Sequence, residues 1–334
     1  MSNEEEAIAK LQGLEDIAEV PTGPAVRLIY ASRSEVRGPV LDEMRRIRDH
    51  AVVNNRVYGI RVALLNMNGW FVQWIEGASQ GVDALLARVE RDPRHHGLTV
   101  LHRSEGPPRL FRPWIGSIVQ SLESDRQFHA RVIAQLARYE AGEETVPVEV
   151  WLRLTAPPAP DMPRPHGRNP HVMLLSANGT QGFGFLAWLA QEEQRALVRR
   201  RFAGGVEDVP DVESDYADFP AFGSWGLRLV ANARKGLSMG MTHAFFPDYA
   251  AIVLLLNGSE ARNLRLVERV LETARQAHHQ PLLVGVAGPD ESTDALRASA
   301  QSHGSVWVDV RCSSSMPESW ECWQLLSATL GGLI

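Results

Sequence analysis

A phenol and a carboxamide, Tyr30 and Gln73, stand in two separate apolar strands of this chain, Leu28 to Arg33 (LIYASR) and Gly69 to Gly77 (GWFVQWIEG). Side chains alternate faces along a strand, so Leu28, Tyr30 and Ser32 share one face, and Phe71, Gln73 and Ile75 share one face of the other. One sheet face can therefore collect both polar groups inside an apolar wall. A buried glutamine is costly unless its donors and acceptor are paired, and a tyrosine hydroxyl together with the edge of a heteroaromatic ring would pair them. The plainer alternative is a solvent-facing Gln73 and a Tyr30 that caps the core. The histidines His50, His95, His96, His102 and His129 present no two ligands at metal spacing backed by a third, so no metal is expected. Trp70, Trp74 and Trp114 lack the basic interleaving of a nucleic-acid stacking platform and fit a core or a partner surface better.

The elements that position these groups follow from periodicity. Val26 to Ser32 reads as a strand and Pro39 to Val53 as a helix. Arg61 to Asn66 and Trp70 to Glu76 read as two strands joined by a tight hairpin turn at Met67, Asn68 and Gly69. A helix over about Val82 to Arg91 stops at Asp92 and Pro93, and strands are expected at Leu98 to His102 and Trp114 to Val119. The order βαββαββ fits a ferredoxin-like sheet with helices on one face, closed by a helix over Gln127 to Tyr139. Seven prolines between Pro147 and Pro170 (Pro147, Pro157, Pro158, Pro160, Pro163, Pro165, Pro170) mark a stiff interdomain linker, in which Val148 to Leu154 could add an edge strand.

LIYASR, VVNN at Val52 to Asn55, GWFVQWIEG, RVERDPRHHG at Arg88 to Gly97 and RLFRPWIGSIVQ at Arg109 to Gln120 occur in the order in which the BLUF family of flavin-binding blue-light sensors carries its motifs. The region from Val26 to Gln120 resembles that family. The resemblance implies that Tyr30 is the redox-active tyrosine, Gln73 the glutamine whose hydrogen bonds to the flavin rearrange in light, and Trp114 the tryptophan of the last strand. It implies cofactor contacts from Asn54, Asn55 and Arg88, with Asp92, Arg94 and His95 orienting the pocket mouth. It further implies that light moves an electron and a proton from Tyr30 to the flavin, and that their return leaves Gln73 in a new orientation or tautomer. FAD, FMN and riboflavin remain open. The chain departs from the family at Arg61 and Val62, which stand where Thr and Gly are usual and bear on pocket shape. It departs again at Gly116, where a methionine is usual.

Beyond the linker, His171 to Ser176 (HVMLLS) is a strand, Ala177 to Gly184 a glycine-rich loop and Phe185 to Ala196 an amphipathic segment. Strands at Ala250 to Leu256, Pro281 to Val286 and Ser305 to Val310 alternate with helical stretches at Glu260 to His278 and Asp294 to His303, which argues for a doubly wound, mostly parallel sheet. The order resembles Ras-like small GTPases with eroded motifs. Ser176, Gln181, Gly182 and Phe183 occupy the four defining positions of a phosphate loop, and none matches. Ala287, Gly288, Pro289 and Asp290 stand where Asn-Lys-x-Asp would read guanine. The resemblance implies a pseudo-GTPase without catalysis, against the alternative of an unrelated open α/β sheet.

The length of 334 residues and an apolar content of 44% suit two domains. The expected boundaries are an acidic extension at 1–22, a flavin-binding domain at 23–145, a linker at 146–170 and an α/β domain at 171–334. A net charge of −6 without a basic stripe argues against nucleic acid. Two cysteines, the acidic start and the absence of a long apolar run point to a soluble cytoplasmic chain without membrane insertion. The function expected is a non-enzymatic blue-light receptor that binds a flavin and signals to an unknown protein partner through the second domain, with self-association open. The rival readings are a light-regulated residual NTPase and a flavinless scaffold.

Overall fold

The structure is a computed structural model that describes residues 24–121, 123–156, 170–203, 212–221, 225–238, 240–256, 259–313 and 317–334. The acidic extension and the linker prolines Pro157, Pro158, Pro160, Pro163 and Pro165 lie outside the described residues. The chain divides into two compact units, one taking the described residues up to Ala156 and the other most of those from Pro170 to Ile334. Among the described residues no helix is long and apolar enough to cross a membrane.

In the first unit β1 (Ala25–Ser34), α1 (Val40–Val57), β2 (Arg61–Met67), β3 (Trp70–Gly77), α2 (Ser79–Val89), β4 (His95–Gly106) and β5 (Ile115–Gln120) follow the expected order. Strands lie side by side as β5, β2, β3, β1 and β4, with β2 and β5 parallel and the other pairs antiparallel, a ferredoxin-like arrangement with one added parallel strand. The β2–β3 turn places Asn68 and Gly69 at φ 52° and 76°. Two successive left-handed residues match the right-handed twist of the flanking strands, which makes this the favoured two-residue hairpin. The turn sets Met67 opposite Trp70 and so fixes Leu64 opposite Gln73.

Alternation along the strands then decides the two faces. Leu28, Tyr30, Val62, Leu64, Phe71 and Ile75 pack with Met44 of α1 and Val82 of α2, and Ile47 and Leu85 close over them. Each such fully buried side chain is worth about 1.5–3 kcal/mol of transfer free energy. The opposite face carries Trp70, Trp74 and Glu76. Trp70 meets Phe128 of α3 (Asp125–Glu140), and Trp74 meets Trp151 of α4 (Pro147–Thr155) at 6.1 Å between ring centres. The buried Glu76 carboxylate accepts from Trp74 Nε1 at 3.0 Å and from the backbone N–H groups of Arg109 and Leu110 at 2.7 and 2.8 Å, holding the loop before β5. A reciprocal Ser124–Gln127 capping box starts α3.

Two expectations are corrected in this unit. Val148 to Leu154 is the body of α4, not an edge strand: Pro147 stands in its first turn, where no N–H is needed, and Val148, Trp151 and Thr155 recur at helical spacing on its buried face. The first unit accordingly continues past residue 145. Arg61 does not shape the pocket. It alternates to the far face of β2, opposite Glu76, and only Val62 of the two departures reaches the cleft.

The second unit contains β6 (His171–Ser176), α5 (Gln181–Glu192), β7 (Val198–Ala203), β8 (Val212–Ala221), β9 (Trp225–Asn232), a 3₁₀ turn at Arg234–Ser238, α6 (Gly240–Phe245), β10 (Tyr249–Leu256), α7 (Glu260–Gln276), β11 (Leu282–Ala287), α8 (Asp294–Ser302), β12 (Val306–Arg311) and α9 (Trp320–Leu333). Its strands run β12, β11, β10, β6, β9, β8 and β7, parallel from β12 to β9 and antiparallel at β9–β8 and β8–β7. One face buries Val172 and Leu174 against α5 and α9, and the other buries Met173 and Leu175 with α7 and α8. The strands β7, β8 and β9 were not expected from sequence, and they make the sheet mixed. Arg228 makes a bidentate ion pair with Asp218, at 2.7 and 2.9 Å, and its guanidinium lies 4.2 Å over the Tyr216 ring.

Candidate functional site

The cleft lies between the sheet face of the first unit and helices α1 and α2. It is open to solvent on one side. Ile47 and Ala51 of α1, Val62 and Leu64 of β2, and Leu85 and Val89 of α2 supply its apolar walls. A planar ring fits such walls. The helical spacing of 47, 51 and 55 and of 50 and 54 turns two adjoining ridges of α1 to the cleft, so Asn54, Asn55 and His50 line it as well.

Gln73 is the polar group of the floor. It is 6% exposed and its Oε1 accepts from the Tyr30 hydroxyl, which is fully buried behind it. Burial, followed by the charge of Asp92, raises the Tyr30 phenol well above its ordinary value and keeps it a neutral donor. With Oε1 engaged, the carboxamide N–H groups of Gln73 are the part available to a ligand.

The mouth is built from the turn between α2 and β4. Arg94 pairs with Asp92 at 2.5 Å and with Glu43 of α1 at 2.8 Å. Hydrogen bonds from Arg94 hold Asp92 and Glu43 below the ordinary carboxylate range and raise the guanidinium further. His95 reaches back to Ser32 at 2.8 Å and packs on Phe71 at 4.8 Å, and burial lowers its imidazole to about 4. Arg88 and Asn54 stand exposed at the rim. Asn55 is buried and donates from Nδ2 to the Pro113 carbonyl at 2.8 Å.

Of the residues singled out from sequence, Gln73, Asn54, Asn55, Arg88, Asp92 and His95 share this cleft, and Tyr30 joins through Gln73. Trp114 does not line it. The tryptophan just precedes β5 and its indole folds over Gly116. Sequence reasoning placed Ser32 on the face of Tyr30 without giving it a role and weighed His50, one turn before Asn54, only as a metal ligand, although helical periodicity puts His50 on the Asn54 ridge. The site fits a flavin ring on two observations: apolar walls, and a floor carboxamide whose Oε1 is engaged by Tyr30, which leaves its N–H groups for a ligand.

In the second unit the expected phosphate-loop positions fall at a strand–loop–helix junction, with Ser176 ending β6 and Gln181 opening α5. No lysine stands there. The loop after β11 is held by Arg311, which donates to the Gly288 and Glu291 carbonyls and to Thr293 Oγ1. Among the described residues no cluster of three metal-ligating side chains occurs.

Residues 25–116 match the BLUF family, described as sensors of blue-light using FAD, so the N-terminal region carries a BLUF domain. The photoactivated adenylate cyclase subunit beta of Euglena gracilis is 34% identical over 92 residues, covering 26% of this chain and 10% of that protein; its counterpart in Euglena longa gives the same figures. This chain thus spans about a tenth of the curated relatives it matches. Among solved structures, BlrB, a BLUF protein in its dark state, is 26% identical, with 36% of this chain and 98% of that one covered and a TM-score of 0.27. The photo-activated state of BlsA is 26% identical, with 33% and 77% covered and a TM-score of 0.27.

Proposed function

We propose, from the BLUF domain at residues 25–116, that this protein is a blue-light receptor that holds a flavin, FAD foremost, in the cleft under α1 and α2. The observation that carries the reading is the buried Tyr30 hydroxyl donating to the Oε1 of a cleft-floor glutamine. Ile47, Ala51, Val62, Leu64, Leu85 and Val89 would hold the ring, Gln73 and Asn55 would meet its polar edge, and Arg88, Arg94 and His95 would stand at the mouth. A bound flavin supplies blue absorption and an excited state that accepts an electron.

The rest is done by the chain. Tyr30 would give its hydroxyl proton along the hydrogen bond to Gln73 Oε1 as it loses an electron to the light-excited ring, and the carboxamide would pass an Nε2 proton on into the cleft. Once one electron and one proton have returned to Tyr30, Gln73 would be left turned or tautomerised, with a changed set of partners. A net hydrogen bond is worth on the order of 1 kcal/mol and inter-site coupling about 1–3 kcal/mol, enough to bias an output several-fold. We place the output in the second unit as a pseudo-GTPase that binds another protein. Support comes from Ser176, Gln181, Gly182 and Phe183 in place of a phosphate loop, and from the loop after β11 being occupied by the protein's own Arg311.

The test is the visible spectrum of the purified full chain reconstituted with FAD, FMN or riboflavin, in darkness and after blue light. A flavin band that moves slightly to the red and recovers in the dark is expected; no band with any flavin would refute the reading. Capture of a partner by the full chain is expected to differ between dark and light, and equal occupancy would remove the signalling claim.

A further inference from the structure

Across the sheet, the register lines up Val100, Tyr30, Gln73, Leu64 and Gly116 as one row over β4, β1, β3, β2 and β5. Row neighbours point to the same face, so position 116 faces the cleft side together with the Tyr30–Gln73 pair. Gly116 is not among the residues with positive φ, and its backbone would accept any side chain. Space is what excludes one. A Cβ at 116 would lie 1.7 Å from Cη2 of Trp114, 2.4 Å from Cζ3 and 2.6 Å from Cζ2. The benzo edge of the indole therefore occupies the place that a side chain at 116 would fill. The turn from which the indole folds back is pinned by Asn55, whose Nδ2 donates to the Pro113 carbonyl at 2.8 Å.

The geometry points to Gly116 as a positioning residue: its missing side chain seats the Trp114 indole at the end of the Tyr30–Gln73 row, and any larger residue evicts it. The indole brings to that row a ring wall and a buried Nε1–H that no group among the described residues accepts. The seat is a property of the fold alone, whereas its service to the switch rests on the flavin reading.

The experiment uses the full chain labelled with 5-fluorotryptophan, the Trp114 signal being assigned by its loss in Trp114→Phe. In the flavin-free protein Gly116→Ala is expected to move that fluorine resonance, and an unmoved resonance in a folded variant overturns the proposal. Overpacking of this kind is expected to lower Tm by about 2–10 °C with Trp114 present and to leave it unchanged in a Trp114→Ala background. An equal loss in both backgrounds, or failure of the double variant to fold where Trp114→Ala folds, overturns it without need of the single variant. With flavin bound, Gly116→Ala is expected to change the rate of dark recovery by about tenfold, the equivalent of one strong hydrogen bond. A moved resonance with an unaltered photocycle overturns the service to the switch. A wild-type chain that takes up no flavin refutes the photoreceptor reading and leaves the seat to be decided by the fluorine and melting measurements.

Discussion

Replacing Tyr30 by phenylalanine removes one atom from the centre of the site. The ring slot is fully buried and is kept, so packing is unchanged and only the donor to Gln73 Oε1 is lost. Leaving a buried acceptor unpaired costs about 1–3 kcal/mol, and Phe is relieved of burying a hydroxyl, which puts the net loss near 1–2 kcal/mol. In a chain of this size that is a fall in Tm of roughly 2–8 °C. The functional loss is complete by comparison, because the variant has no proton or electron to give at that position. Flavin uptake is expected to persist, since the apolar walls and the mouth residues are untouched. The assay is the light-minus-dark absorption difference of the reconstituted variant beside its melting curve. A Tyr30→Phe protein that binds flavin and still shows a recoverable red shift would refute the role assigned to the Tyr30–Gln73 bond. An unchanged Tm would refute the hydrogen bond itself.

Gln73→Leu is expected to bind flavin and show no light-induced shift, since a leucine can neither accept from Tyr30 nor donate into the cleft; a persisting shift in the difference spectrum would count against it. His102 is lowered to about 4, first by burial and then by Arg27, so it stays neutral in the folded state and is protonated more readily in the unfolded one. Its contribution is whole above pH 6.5 and lost as the pH falls from 6.5 towards 4, at most about 2–3 kcal/mol after solvent screening. A His102→Gln variant should therefore show a flatter Tm profile across that window than the parent, and identical slopes would contradict this. Asp218→Asn strips the buried Arg228 of its counter-charge and is expected to cost about 3–5 kcal/mol in urea unfolding, with a loss under about 1 kcal/mol telling against the pair. Adding GTP with magnesium should leave Tm unchanged, whereas a ligand at ~100 times its Kd would add about 2.7 kcal/mol; such a rise would establish a nucleotide site.

Legibility from sequence varied with how local the signal was. Period-2 alternation shows which residues of each strand share a face, and the Met67–Gly69 turn fixes Leu64 opposite Gln73; the β1–β3 register that sets Tyr30 opposite Gln73 is a long-range pairing that no local signal encodes. The mouth residues Asp92, Arg94 and His95 came from motif order, while the Glu43 that anchors Arg94 is 51 residues away and gave no sequence sign. Trp114 was singled out as the tryptophan of the last strand; its fold-back over Gly116 is a packing outcome that no pattern encodes. The strands β7 to β9 escaped because charged residues interrupt them, three successive arginines in β7, Glu213, Asp215 and Asp218 in β8 and Arg228 in β9, and they lack the apolar runs of β6 and β10. Helix α4 was hidden by proline counting: Pro147 was counted with the linker prolines, yet a proline in a first turn starts a helix.

The two-residue turn at Asn68 and Gly69 has a consequence for how this molecule can change over generations. Substitutions along β3 can be tried one at a time, each with its own modest cost. Length is different. A residue gained or lost there that passes into the pairing as a one-residue slip, instead of being absorbed in a longer loop, would rotate every side chain of β3 to the other surface, turning Gln73 towards α4 and thrusting Trp74 into the cleft. The hairpin thus admits point changes more readily than changes of length, since only the latter put the face of Gln73 at stake.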